Sequence, residues 1–538
     1  MTDSEIYKQF GGENFVPSPA QLEIFNFVRH GIGNASIESR AGSGKSKTIE
    51  LANHFIPSNK TVLVLAYNVH IANHLRGKLQ PLKNVTVLTY HSLGYKLIKM
   101  FNDNVELDEK KYIKYINANI ENLNPDFNTF SNADKGRYIK NVEKLLDYSR
   151  YNLMQSEKEI AKMAVKYGVK TFSNECQAVR KIMKWGYENN DTVDYQDMIW
   201  LPYELNIINK YLKFDIIFID EAQDSSLAQQ HLIDMCIKRN TRFLLFGDSQ
   251  QMINAWAGSD EQAFTHFNNR ANVKKFKLTT SYRCPKKVAD LAKTIVPDFD
   301  AYEKAIEGEI NYNVSLDNIK PGDMVLCRLT SPLIKLYLTL MKEGKPVYIK
   351  GVEIGNNIID TVNNYKTNDL NLVISSLKQN LITKWQETAE EYKTDLKSVV
   401  GESEVVTLYD EILTLELLSD GIKSVDDLEK HVNELFVKKT KDISIEDNNY
   451  IHLSTVHRAK GLEADNVFIL CPSLLPNKLA KREWEIISEK NLVYVAWTRA
   501  KKTLNFVSEK EFPPEKSYSG NDTLYNEFLN IKKDVEEK

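Results

Sequence analysis

An excess of positive charge is the first thing this chain lacks. Its 70 Lys and Arg are outnumbered by 73 Asp and Glu, a net charge of −3. Bulk attraction to polyanions is therefore excluded, and any nucleic acid must bind a local basic groove. Cysteine is scarce: five residues, at 176, 236, 284, 327 and 471, with no two at metal-ligand spacing. That excludes a zinc ribbon or a disulfide framework and implies free thiols in a reducing compartment. No apolar run approaches membrane-spanning length, and no secretory h-region marks the N-terminus. Repeats and low-complexity blocks are missing too. What remains is 538 residues, 42% hydrophobic and 27% charged. That length is too great for one core, so several soluble globular domains are expected.

Two stretches carry chemistry. The apolar run Ile216-Ile217-Phe218-Ile219 reads as a buried parallel strand and ends in Asp220-Glu221-Ala222-Gln223-Asp224. Adjacent carboxylates repel and resist burial, so a strand that delivers them needs a counter-charge. Mg²⁺ with a nucleotide phosphate supplies one: Asp220 can hold the metal and Glu221 can activate a water. The matching partner lies upstream. Ser39-Arg40-Ala41-Gly42-Ser43-Gly44-Lys45-Ser46 follows a strand-like run, 35–38, and opens a helical pattern through Thr48, Ile49, Leu51, Ala52 and Phe55. Strand, glycine turn and helix start make a phosphate-binding loop. Gly42 and Gly44 let backbone N–H groups around Ser43 close on phosphate oxygens. Lys45 then reaches the β- and γ-phosphates, and the Ser46 hydroxyl joins the Mg²⁺ shell. The strict pattern has Gly where Ser39 stands.

The rest of the chain alternates strand and helix signals around these motifs. Strands are expected at 61–66, 85–88, 214–219, 242–246, 324–328, 347–349, 450–454, 466–470 and 503–507, with helices over 71–79, 331–343 and 490–501. This patterning, with the phosphate-binding loop, predicts an α/β fold with two parallel-sheet domains, each carrying a helical insertion. The first domain is expected over 1–94 and 206–272, interrupted by insertion 95–205. The second is expected over 273–355 and 449–510, interrupted by 356–448, with a tail over 511–538 that is a weakly held helix or disordered.

The ordered motifs resemble those of superfamily 1 DNA helicases of the UvrD/Rep type over roughly 15–508, which implies that the two parallel-sheet domains are RecA-like and of the phosphate-loop NTPase class. Several roles follow from that resemblance. Gln21 matches the glutamine that reads adenine, and Lys47 a basic residue near the base. Leu245-Phe246-Gly247-Asp248-Ser249-Gln250-Gln251 resembles motif III, with Gln251 as γ-phosphate sensor and Trp256 stacking on a DNA base. Gln223-Asp224 are expected to tie Glu221 to that motif. Tyr282-Arg283 resembles motif IV, an adenine stacker followed by an arginine finger; Arg499 resembles the second finger of motif VI. Thr455-Val456-His457-Arg458-Ala459-Lys460-Gly461-Leu462-Glu463 resembles motif V, implying Glu463 on ribose or phosphate and Thr455 and His457 on DNA. Tyr67-Asn68 resembles motif Ia and Thr89-Tyr90-His91-Ser92 motif Ib, which implies DNA contacts for Tyr67, Asn68, Thr89 and His91. Asn254, Ala257 and Asn491 depart from the pattern, where the family often has an aromatic residue, an arginine and an arginine. The Tyr67, Thr89 and Thr455 motifs are similar to the group that includes the F-box DNA helicase, although no F-box precedes residue 15.

The resemblance implies an ATP- and Mg²⁺-dependent helicase moving 3′→5′ on single-stranded DNA. Glu221, Gln251, Arg283 and Arg499 would act in hydrolysis. The expected partners are single-stranded DNA and single/double-strand junctions, with a replication, repair, recombination or nuclease partner, no membrane, and a chain monomeric on its own. A cytoplasmic location in a bacterium or a phage-infected host suits the Lys-, Asn- and Ile-rich composition. Two rivals remain open. One is a DNA-stimulated ATPase or translocase subunit that works with a nuclease in repair or phage defence without unwinding alone. The other is a binding module that uses ATP as a switch.

Overall fold

The computed structural model describes residues 2–13, 15–253, 273–349, 352–438, 448–478, 480, 483–515 and 521–536. The chain divides into two compact units, Met1–Pro125 with Val142–Tyr282, and Asp126–Asn141 with Arg283–Lys538.

The first unit is built on a six-stranded parallel sheet. Its strands are β1 (Asn34–Ser39), β2 (Val62–Ala66), β3 (Val85–Thr89), β4 (Phe214–Ile219), β5 (Ile237–Gly247) and β6 (Val273–Leu278), in the order β3-β2-β4-β5-β1-β6. Every residue of β2 is buried, the pattern of a strand covered on both faces. Phe218 of β4 and Phe246 of β5 stack against each other in a core that also takes Ile24, Ile49 and Leu51 from flanking helices. One boundary moves. The second α/β region was expected to begin at 273, yet β6 pairs with β1 from Asn34↔Val273 to Ser39↔Leu278 and completes the first sheet. Its exposed Lys274, Lys275 and Lys277 suit a sheet edge, where charge discourages further strand addition.

The insertion is helical as expected: α1 (Lys111–Leu123), α2 (Asn132–Tyr151), α3 (Glu157–Lys166), α4 (Glu175–Glu188) and α5 (Tyr195–Glu204). Residues 126–141 group with the second unit instead, a division no local pattern announces. In the first unit a buried ionic cluster supplements the sparse apolar surface. Arg150 Nη1 lies 2.9 Å from Asp194, Lys111 Nζ lies 2.8 Å from Asp197, and the Tyr112 hydroxyl donates to Asp197 at 2.6 Å.

The second unit repeats the plan. Strands β7 (Glu309–Val314), β8 (Met324–Cys327), β9 (Val347–Ile349), β10 (Ile451–Thr455), β11 (Ala464–Ile469) and β12 (Ala500–Val507) form a parallel sheet ordered β7-β12-β11-β8-β10-β9. β7 has no counterpart among the expected strands. Its insertion is again helical, and its core is continuous with that of the sheet. The tail departs from expectation. Helix α6 (Asn521–Glu536) buries Leu524, Phe528 and Ile531, and the Phe528 ring packs edge-on against Trp385 and Tyr409. Three apolar residues at helical spacing suffice to dock an otherwise charged segment. No helix among the described residues is long and apolar enough to cross a membrane.

Candidate nucleotide site

The carboxyl ends of the first sheet's strands gather the motif residues, the usual ligand edge of a parallel α/β sheet. After β1, the Arg40 N–H donates to the Leu278 carbonyl at 2.8 Å and the Ser43 N–H to the Arg40 carbonyl at 3.1 Å. Gly42 and Gly44 then take φ of +70° and +79°, where a side chain is strained. Gly44 caps the helix Lys45–Asn53. Left-handed glycines followed at once by a helix N-terminus form a concave row of N–H donors suited to phosphate. The Ser43 hydroxyl is buried inside the turn with no hydrogen-bond partner among the described residues. Ser46, the residue expected to meet Mg²⁺, follows Lys45 in the first turn of the helix.

Asp220 directly follows β4 and is fully buried, and Glu221 comes next at φ +51°, a conformation rare outside glycine. Lys45 Nζ lies 3.0 Å from Asp220 Oδ1 and is ion-paired to Glu221. Burial opposes the Lys45 charge, but Asp220 and Glu221 more than offset it and raise its pKa above the usual lysine range. Burial raises the Asp220 carboxyl despite Lys45. Asp220 Oδ2 is buried and has no partner among the described residues. An orphaned carboxylate oxygen beside a phosphate cradle fits a hard cation, which takes oxygen ligands and shares its shell with phosphate.

The expected tie between Glu221 and the motif III-like turn is present. Gln223 Nε2 donates to Glu221 Oε2 at 2.6 Å, and Gln223 Oε1 accepts the Asp248 N–H at 3.1 Å. Gln251 Nε2 donates in turn to Asp248 Oδ2 at 2.7 Å. Arg40 and Glu38, to which the motifs assign no role, close this network from the phosphate-loop side.

On the opposite side of the loop, Tyr282 donates its N–H to the Gly42 carbonyl at 2.8 Å and leaves its side chain partly exposed. A methyl group at Gly44 would meet Gln21 Nε2 at 3.4 Å and the Tyr282 ring at 3.9 Å. Gln21 and Tyr282 thus converge on the phosphate loop. The Gln21 amide caps its own helix through Ser18 and donates to Thr48 Oγ1 at 2.9 Å. Lys47 Nζ reaches the Phe10 carbonyl at 2.5 Å and Glu50 at 3.0 Å.

The second unit holds the other charged residues. Arg283 Nε donates to Glu463 Oε2 at 2.5 Å. Arg499 is buried: Nε donates to the Val495 carbonyl at 2.8 Å, Nη1 to the Leu462 carbonyl at 3.1 Å and Nη2 to the Thr498 hydroxyl at 3.0 Å. Burial, with Arg283 nearby, lowers the Arg499 pKa to about 9. Thr455 ends β10, and its carbonyl accepts the N–H groups of Arg458 and Ala459. Burial, then Arg328 and Arg458, hold His457 down at about 3, so its imidazole is neutral.

Of the residues expected on DNA, Tyr67, Asn68, Thr89 and His91 lie at the ends of β2 and β3. Tyr67 is 39% exposed, enough face for a base to stack. Asn68 caps the next helix by accepting the Ile71 N–H at 2.9 Å, and Thr89 caps another by accepting the Ser92 N–H at 3.1 Å. His91 lies edge-on to Tyr195, 6.0 Å between ring centroids, and burial lowers its pKa. Tyr195, which no motif singles out, follows the capping residue Asp194 with its side chain exposed, and its hydroxyl donates to Glu109 at 2.7 Å. Trp256, Asn254 and Ala257 lie outside the described residues.

Comparison with known proteins agrees with this layout. A model of the UvrD/REP helicase N-terminal domain matches residues 20–272, and one of the UvrD-like helicase C-terminal domain matches 450–507. The chain is similar to the ATP-dependent DNA helicase Rep of Buchnera aphidicola subsp. Acyrthosiphon pisum, at 23% identity over 88% of this chain and 92% of the relative. It is similar to a probable DNA helicase II homolog of Mycoplasma genitalium at 22% identity, over 86% of this chain and 81% of the relative. The ATP-dependent DNA helicase PcrA of Bacillus subtilis aligns at 21% identity over 52% of this chain and 39% of its own length.

Proposed function

The chain belongs to the UvrD/Rep family of ATP-dependent, superfamily 1 DNA helicases, and on that premise we propose that it hydrolyses ATP with Mg²⁺ to move 3′→5′ along single-stranded DNA and separate duplex ahead of it. One observation carries the hydrolytic part: Lys45 is clamped on Asp220 and Glu221, while Gln223 links Glu221 to the turn that bears Gln251.

Phosphates entering the cradle of Gly42, Ser43 and Gly44 offer Lys45 a denser negative partner than two carboxylates. Lys45 moves to the β- and γ-oxygens and leaves Glu221 without its lysine counter-charge, still held by Gln223. Glu221 accepts a proton from the attacking water as that water's oxygen bonds to the γ-phosphorus and the bond to ADP breaks. Ser46 and Asp220 are the residues to hold Mg²⁺, which when bound neutralises phosphate-oxygen charge. Gln251 senses the γ-phosphate; Arg283 and Arg499 supply fingers, each worth roughly 10³–10⁵ in rate in well-studied cases. Arg283 must exchange Glu463 for phosphate, and Arg499 must release backbone carbonyls. Gln21, Lys47 and Tyr282 take the adenine, and Glu463 the ribose or phosphates.

DNA is assigned to Tyr67, Asn68, Thr89, His91, Trp256, Thr455 and His457, with Tyr195 added beside His91. Stacking on an aromatic ring is worth about 1–3 kcal/mol per base and is tolerant of sequence, as a stepping motor requires. Each base-pair step opened costs about 1.4 kcal/mol of stacking, within reach of one ATP.

The decisive assay is ATP hydrolysis with and without single-stranded oligonucleotide, followed by streptavidin displacement from either end. Stimulated turnover with release from the 5′ end supports the reading, and preferential release from the 3′ end reverses the direction. Polarised release without strand displacement favours a translocase subunit.

A further inference from the structure

The phosphate loop carries a buried arginine that the proposed chemistry does not use. Arg40 is 8% exposed, and its Nη1 lies 2.8 Å from Glu38 Oε1 and 2.8 Å from Asp248 Oδ1. Its backbone is pinned at both ends, the N–H on Leu278 and the carbonyl on the Ser43 N–H. Residue 40 is thus fixed to the turn that would cradle phosphate, while its side chain ends on the carboxylate of the motif III-like turn.

Asp248 is the hub of that turn. It is fully buried, its Oδ2 accepts Gln251 Nε2, its Oδ1 also accepts the Gln250 N–H at 3.1 Å, and its N–H holds Gln223. Glu38, the other acid on Arg40, accepts the Ser249 N–H at 3.0 Å and hydroxyl at 2.6 Å. Arg40 therefore holds two points of one turn at once. Burial raises the Asp248 carboxyl, which Arg40 opposes. Without the guanidinium, two acids would face each other in a buried space, and Asp248 would turn away or take up a proton.

We infer that Arg40 is a positioning residue for hydrolysis: through Asp248 it sets the orientation of Gln251 and of the Gln223–Glu221 pair, and it couples that orientation to the phosphate loop. This rests on the reading of the site as an ATPase. A buried ion pair that only holds the fold would change stability and leave the balance between binding and turnover alone. A positioning role changes turnover at nearly constant nucleotide affinity.

The test uses the full chain carrying Arg40→Gln, Arg40→Lys, Gln251→Ala and the double variants. Readouts are kcat and KM for ATP with saturating oligo(dT), the dissociation constant of a fluorescent ATP analogue, and the melting temperature. The expected result is a fall in kcat of about tenfold or more for Arg40→Gln, with nucleotide affinity within about threefold of wild type. Arg40→Lys, which keeps the charge but has a different shape, should fall between. The double variant should be no slower than the slower single one, because both act on one unit. Effects that multiply, or an affinity loss equal to the kcat loss, overturn the inference. If Arg40→Gln fails to fold, Arg40→Lys with Gln251→Ala completes the same cycle. A wild-type chain without ATP turnover overturns both the inference and the ATPase reading; normal turnover with multiplying effects overturns the Arg40 role alone.

Discussion

Gln223 donates its side-chain N–H to the carboxylate of Glu221 at 2.6 Å. The same amide accepts the Asp248 N–H, so one side chain spans the candidate base and the neighbouring turn. Gln223→Ala should remove this link without touching the phosphate loop. DNA-stimulated kcat is expected to fall about tenfold, equivalent to about 1.4 kcal/mol of barrier, with the ATP KM little changed. Unaltered DNA stimulation in steady-state assays would show that the bridge carries nothing between the two.

Glu221→Gln keeps the shape of the site and removes the proton acceptor. Nucleotide binding should persist while turnover drops by about 10²–10⁴, the usual share of a positioned base. Equilibrium binding of a fluorescent ATP analogue, measured beside phosphate release, separates the two. Residual turnover near wild type would assign the base elsewhere.

Acid should weaken the second unit through His457. Its folded pKa is held at about 3, below the unfolded histidine value, so the unfolded chain binds the proton first. Stability is therefore complete at neutral pH and lost as pH falls below about 6.5, at up to about 1.4 kcal/mol per pH unit. Urea midpoints at pH 7 and 5 for wild type and His457→Asn test this. The variant should lose less on acidification, and equal losses would point to other groups.

The C-terminal helix is a structural element of the second unit. Phe528 is fully buried against Trp385 and Tyr409. Phe528→Ala should destabilise that unit by about 3–5 kcal/mol, the range for a large buried aromatic. Differential scanning calorimetry would register a lowered transition. An unchanged thermogram would mean that the helix is dispensable.

The parts legible in the sequence share one property: their signal is local. Gly42, Gly44 and Lys45 stand within four positions, and Ile216–Ile219 runs straight into Asp220 and Glu221. The strands at 62–66 and 214–219 announce themselves by the apolar runs Val62–Ala66 and Ile216–Ile219, because parallel strands bury both faces. What stayed hidden depends on partners far along the chain. Val273–Leu278 was expected only as the start of the second α/β region, and its register with β1 is what assigns it to the first sheet. The Arg40–Asp248 pair joins residues 208 apart. The burial of Arg499 depends on Leu462 and Val495, which no motif spacing reveals. The tail looked weakly held because its charges mask Leu524, Phe528 and Ile531, and the partners of Phe528, Trp385 and Tyr409, lie far earlier in the chain.

At Glu221 the backbone stands at φ +51°, a conformation glycine takes freely. For any other residue such a state costs of the order of 1–3 kcal/mol. Glu221→Gly would relieve that backbone cost, but it would also strip Lys45 and Gln223 of a partner and leave a chain without its candidate base. Backbone relaxation on one side, and ion pairing and turnover on the other, pull in opposite directions at this one position. A library built to toughen the chain should hold residue 221 fixed and seek its gains elsewhere.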